Sequence, residues 1–155
     1  MVNDLEWYRS LERRFVSLDL LQKTQEKHRF WAFNSLARRY MNGQRWYHTL
    51  HHVKFCLKIF DEFIVLSSRP SLLELAIWYH DSIYNFNAPA RQNEQRSAAL
   101  ARSELTWLKL DAQDIAYVER CILATTHDHE PVSHDSRLIV DIDLVGLGMP
   151  WSIFL

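Results

Sequence analysis

Glycine is nearly absent: Gly43, Gly146 and Gly148 are the only three in 155 residues. Hairpin-rich folds use glycine in their tight turns, and phosphate-cradling loops need it for close backbone approach, so both classes are disfavoured. Strand-like alternation of apolar and polar residues is also scarce. The two cysteines, Cys56 and Cys121, are too few for a disulfide framework or a cysteine-based zinc site. Each sits in an apolar helical pattern and reads as a reduced, buried thiol. No apolar run approaches the ~20 residues of a membrane span. The opening residues lack the basic and apolar regions of a signal peptide, so the expected location is the cytoplasm. A formal charge of −1 gives no general attraction to long nucleic acid or to an anionic membrane. It leaves room for a local pocket that takes one nucleotide.

What the chain does have is apolar and aromatic mass at helical spacing. It is 48% hydrophobic and 13% aromatic, enough for a packed core, and its length suits a single domain over residues 1–155. Apolar residues recur at i, i+3, i+4 and i+7. The spacing predicts a first helix capped by Asn3 and running to about Ser17, and a second from about Thr24 to Met41. A long third helix is expected from about Tyr47 to Leu66. The break at Arg69-Pro70-Ser71 precedes a fourth over about Leu72 to Tyr79. A fifth covers about Gln92 to Leu108, and a sixth, capped by Asp111, about Ala112 to Thr125. A seventh covers about Asp135 to Leu147, stopped by Gly146 and Gly148. The expected fold is an all-α bundle of six to seven helices.

Three groups of residues interrupt this apolar pattern. His80-Asp81 follows the run Leu75-Ala76-Ile77-Trp78-Tyr79, and an imidazole or carboxylate at the end of a buried helix is costly unless paired. In Tyr47-His48-Thr49-Leu50-His51-His52, His48 and His52 are four apart and are expected to share one helix face. His51 points elsewhere. In Asp141-Ile142-Asp143-Leu144 the acids are two apart on a helix, so one at most faces the same point as the histidines. Capping pairs and salt bridges would account for each group alone. Taken together they offer imidazoles and carboxylates from three separated helices, a donor set suited to Mn, Fe, Co, Ni or Zn with positions left for water and substrate.

The order His … His-Asp … Asp resembles the signature of the HD superfamily. The surrounding residues are similar to one subgroup, the predicted metal-dependent HD phosphohydrolases. The matching segments are Arg45 to His52, Trp78 to Tyr84, Asn93 to Ala98, Ala124 to His127 and Asp141 to Gly148. They fall in the expected order over about residues 45 to 148. The resemblance implies an HD-type helical fold and a divalent cation, with Mg added to the metals above. It implies His48, His80, Asp81 and Asp143 as ligands, with His52 the rival for the first place. It also implies Glu94 as a catalytic acid or base beside Asp81, with Asn93, Ser97 and His127 facing the substrate. Arg45, just ahead of the His48 segment, has the planar fork that suits a phosphate, although a salt bridge to an acid suits it equally. His28, His129 and His134 read as surface residues. The family pattern continues through further helices, so the short segment after Gly148 is expected to cost part of the pocket wall.

The expected function is hydrolysis of a small phosphate ester, with nucleotides among the candidates. A rival from another class is a catalytically weak metal-bound module that senses a ligand or binds a partner. A third is redox chemistry at a di-iron form of the same site.

Overall fold

The computed structural model describes residues 3–43, 45 and 47–145, with side chains from residue 5 onward. Among these residues the chain is all-helical, with seven α-helices and no strand. They are α1 (Asn3–Val16), α2 (Glu26–Tyr40), α3 (Leu50–Phe63), α4 (Pro70–Tyr79), α5 (Gln92–Trp107), α6 (Ala112–Ala124) and α7 (His134–Val145), with 3-10 turns at Asp19–Leu21 and Ile64–Leu66. None is long and apolar enough to cross a membrane. The expected cap by Asn3, the stops at Gly146 and Gly148, and the segment that follows lie outside what is described.

Two boundaries differ from the periodicity in a way that matters. Pro70 does not break the chain ahead of α4 but opens the helix, where its missing N–H costs nothing and its fixed φ is already helical. The third helix starts at Leu50 rather than Tyr47, because Thr49 is extended (φ −106°, ψ 175°) and serves as its N-cap. His48 therefore precedes the helix that carries His52.

The core is organised around α4, whose residues from Leu72 to Tyr79 are all buried. A helix that is apolar all round must be enclosed, and α4 is in contact with α3, α5, α6 and α7. Trp78 meets Phe15 and Phe33 edge-on, with ring centroids 5.4 and 6.1 Å apart. Such pairs add about 0.5–1.5 kcal/mol each beyond area burial. Polar atoms in this core are paired, as burial requires. Tyr40 donates its hydroxyl to the Trp78 carbonyl at 3.0 Å. Ser35 and Tyr79 donate to the buried Glu104 carboxylate at 2.7 and 2.8 Å.

The position of α7 is set by one carboxylate. Asp135, 1% exposed, accepts from Ser68 N and Oγ at 3.0 Å, Ser67 Oγ at 3.0 Å and Arg69 N at 3.1 Å, and from the Tyr117 hydroxyl. Burial alone would raise its pKa, but these donors hold it below the usual carboxylate range. The first turn of α7 is thus tied to the chain entering α4 and to α6. That fixes the helix phase that places Asp143 two turns further on.

Candidate metal centre

The centre is built where α4 ends. His80 caps α4, its backbone N–H donating to the Ala76 carbonyl, and its side chain is 2% exposed. Its Nδ1 lies 2.8 Å from the Ile77 carbonyl oxygen. A carbonyl only accepts, so Nδ1 carries the proton and Nε2 keeps its lone pair in the neutral ring. That Nε2 is 3.3 Å from His52 Nε2, 3.2 Å from Asp81 Oδ2 and 3.5 Å from Asp143 Oδ1. His52 projects from the first turn of α3, fully buried, with its Nε2 3.1 Å from Asp143 Oδ1 and 3.6 Å from Asp81 Oδ2. The two imidazole nitrogens thus stand together between the Asp81 and Asp143 carboxylates. On α7, Asp141 is exposed whereas Asp143 turns towards the imidazoles.

His48 is held differently. Its Nδ1 donates to Asp81 Oδ2 at 2.6 Å, and its ring stacks on Tyr84 with centroids 4.2 Å apart. The side chain keeps 30% exposure where His52 has none. The reason lies in Arg45. Its guanidinium donates to the carbonyls of His48 (3.1 Å), Asp81 (2.7 Å) and Ser82 (2.9 Å), and lies over the Tyr40 and Tyr84 rings. This fork ties the His48 segment to the turn after α4 and keeps it out of the helix. The fork expected to meet a phosphate is committed to backbone carbonyls.

Cys56, one turn beyond His52, is a neighbour that the sequence did not single out. Buried His52, Cys56 and His80, with Asp143, lie close enough to hold a metal ion. Cys56 Sγ is 3.6 Å from His52 Nε2 and 3.8 Å from Nδ1. The Sγ–Nε2 separation equals that of Asp81 Oδ2 from the same nitrogen. Burial pushes the Cys56 thiol well above its ordinary pKa and Cys121 up to about 11.

Bonds of about 2.0–2.2 Å from one cation would set neighbouring donors roughly 2.9 Å apart in an octahedral shell and up to 3.6 Å in a tetrahedral one. The two imidazole nitrogens lie 3.3 Å from each other and 3.1 to 3.6 Å from the Asp81 and Asp143 carboxylates. Charge points the same way. Two neutral imidazoles and two carboxylates leave two negative charges in a largely buried site, which a divalent cation would balance. Without a metal, His80 takes up positive charge. Burial would lower the His80 pKa, yet Asp81 and Asp143 hold it well above the usual range. Burial would raise both carboxylates, and the imidazoles hold them below theirs. The residues present fit a metal ion.

The remaining expected site residues divide. His127, with its backbone in the left-handed region (φ 57°), sets Nε2 3.5 Å from Asp143 Oδ2 and is 39% exposed. Asn93 spends its amide on Asn85, accepting from the backbone N at 2.9 Å and donating to the carbonyl at 3.1 Å. Ser97 is buried, accepting from Ile83 N at 3.0 Å and donating to its carbonyl at 3.3 Å. Both brace the loop that follows His80-Asp81. Glu94 is half-buried in the first turn of α5 and joined to the cluster by no hydrogen bond or ion pair among the described residues. His51 packs against Trp7, off the centre, with ring centroids 4.4 Å apart.

Compared with protein-family models, with curated proteins and with solved structures, the chain matches none.

Proposed function

We propose that the chain is a metal-dependent phosphohydrolase of the HD type, acting on a small phosphate ester, with nucleotides among the candidates. One observation carries the reading. His52 Nε2 has His80 Nε2 at 3.3 Å and Asp143 Oδ1 at 3.1 Å, a spacing that asks for a cation, in a chain whose motif order resembles that superfamily. His52, His80, Asp81 and Asp143 would hold the ion, and His52 replaces His48 in that set. A bound divalent cation supplies Lewis-acid polarisation of the phosphoryl oxygen and acidifies a water.

The chain's own residues supply the proton path. Asp81 orients the attacking water and, by accepting from His48 Nδ1 at 2.6 Å, holds that ring with its Nε2 lone pair free. His48 Nε2 takes the water's proton as the new P–O bond forms. The leaving oxygen departs with the electron pair of the broken ester bond and takes that proton from His48 Nε2. This assigns the acid role to His48 rather than Glu94, because His48 is bonded to a ligand carboxylate and is partly open to solvent. Tyr84 and Arg45 position it. His127 stands beside Asp143, where a phosphoryl oxygen would lie.

A second reading, a metal-bound module that binds without turnover, draws on the occupied Arg45 fork, which leaves that cation unavailable to substrate phosphate. Metal analysis and a phosphate-ester screen separate the two. The expected result is about one equivalent or more of a divalent metal in the wild type, lost in His52→Ala and retained in His48→Ala. His48→Ala is expected to turn over roughly 10²–10⁴-fold more slowly. A metal-loaded wild type that hydrolyses no ester would favour the binding module. Metal retained in His52→Ala would sink the site itself.

A further inference from the structure

We infer that the organic half of the ester is an uncharged, flat, apolar group carrying a single phosphate, and that it lies along residues 124–132. The inference rests on the hydrolase reading above and adds the substrate class to it. His127 belongs to two places at once. Its Nε2 is 3.5 Å from Asp143 Oδ2, and the same residue lines a hollow of about 310 Å³ with Ala124, His129 and Pro131. A second hollow, of about 380 Å³, shares Ala124, His129, Glu130 and Pro131 with the first and continues over Leu123 and Val132. Together they form one tract that begins beside the metal centre.

The chemistry of this tract is selective. Val132 is 97% exposed and Leu123 40%, so apolar surface is bared to water where a ligand would cover it. Proline and imidazole rings offer flat faces on which a planar group packs. Asp128 and Glu130 flank the tract, and Arg91 is paired with Asp128. A second phosphate would meet these carboxylates. Arg120, on the second hollow, is the one arginine or lysine lining the tract among the described residues. One phosphate at the metal and a neutral ring beyond His127 satisfy both the charge and the shape.

Calorimetric titration of the full chain loaded with Mn²⁺ tests this, with inorganic phosphate, phenyl phosphate and ribose 5-phosphate as probes. Phenyl phosphate is expected to bind roughly tenfold or more tighter than inorganic phosphate, since a small apolar group in a fitting pocket is worth that much. Ribose 5-phosphate, of similar size but polar, should gain little. Val132→Asp, at a side chain that packs on nothing, should bring the phenyl preference to within about twofold and leave inorganic phosphate unchanged. If phosphate binds but phenyl phosphate gains nothing, if ribose 5-phosphate gains as much, or if the preference survives Val132→Asp, the inference falls while the hydrolase reading stands. If inorganic phosphate does not bind at all, both fall.

Discussion

Two carboxylates on α7, the buried Asp135 and the half-buried Asp143, stand eight residues apart and meet opposite surroundings. Asp135 is surrounded by groups that donate: backbone N–H from Ser68 and Arg69, and hydroxyls from Ser67, Ser68 and Tyr117. Its bonding is complete within the protein. Asp143 is faced by two imidazole nitrogens, His52 Nε2 at 3.1 Å and His80 Nε2 at 3.5 Å, the latter with a lone pair in the neutral ring. Its partners are titratable groups that themselves lie close enough to hold a metal ion. A buried acid matched by neutral donors locates a structural joint. One matched by imidazoles and a second carboxylate locates a candidate place for a cation.

The sharpest break in this comparison comes from replacing each acid by its amide. Asp143→Asn removes one of two negative charges from the centre and is expected to abolish stoichiometric metal, with phosphohydrolase activity lost in step. Asp135→Asn is expected to retain the metal and lose stability, by roughly 2–3 kcal/mol, because the amide cannot accept all five donors. At about 2–4 °C per kcal/mol for a chain of this size, that is a fall of roughly 5–10 °C in Tm. Metal content by elemental analysis and Tm by calorimetry read the two effects separately. If Asp135→Asn loses the metal at a temperature where it is folded, the contrast drawn between the two acids is wrong.

The pH dependence of the Asp135 effect sharpens the contrast further. Its folded pKa lies below the ordinary value, so its contribution is present above the unfolded carboxylate pKa of about 3.9 and is lost as pH falls through the folded value. The stability gap between wild type and Asp135→Asn should be constant near neutrality and close progressively below about pH 4. A gap that widens with acid would show that the donors around Asp135 favour its protonated form.

The smallest expected effect belongs to Asp141, exposed on the opposite side of α7 from Asp143. Asp141→Asn should leave metal content unchanged and stability within about 0.5 kcal/mol, the usual range for a surface substitution. A loss of metal equal to that of Asp143→Asn would mean that the phase of α7 differs from the one described.

Much of this was legible in the chain itself. Helical spacing of apolar residues and the scarcity of glycine give an all-helical bundle, and the break and cap residues place most helix ends within a few positions. The run ahead of His80-Asp81 marks a buried helix end that carries polar groups. The two-residue spacing of Asp141 and Asp143 requires them to diverge, although it does not say which of them faces inward. That depends on α7 being tied by Asp135 to residues more than sixty positions earlier.

The position of His48 relative to the helix that carries His52 was beyond the sequence for a related reason. A spacing of four puts two residues on one face only if the helix includes both. Whether α3 begins at Tyr47 or at Leu50 is decided by Arg45, whose guanidinium holds the His48 carbonyl together with those of Asp81 and Ser82, 36 and 37 positions away. Periodicity is a property of one segment, and it determined the helices and the polar groups that interrupt their apolar faces. The meeting of their donor atoms depends on hydrogen bonds between segments far apart in the chain, and only the tertiary structure fixes those.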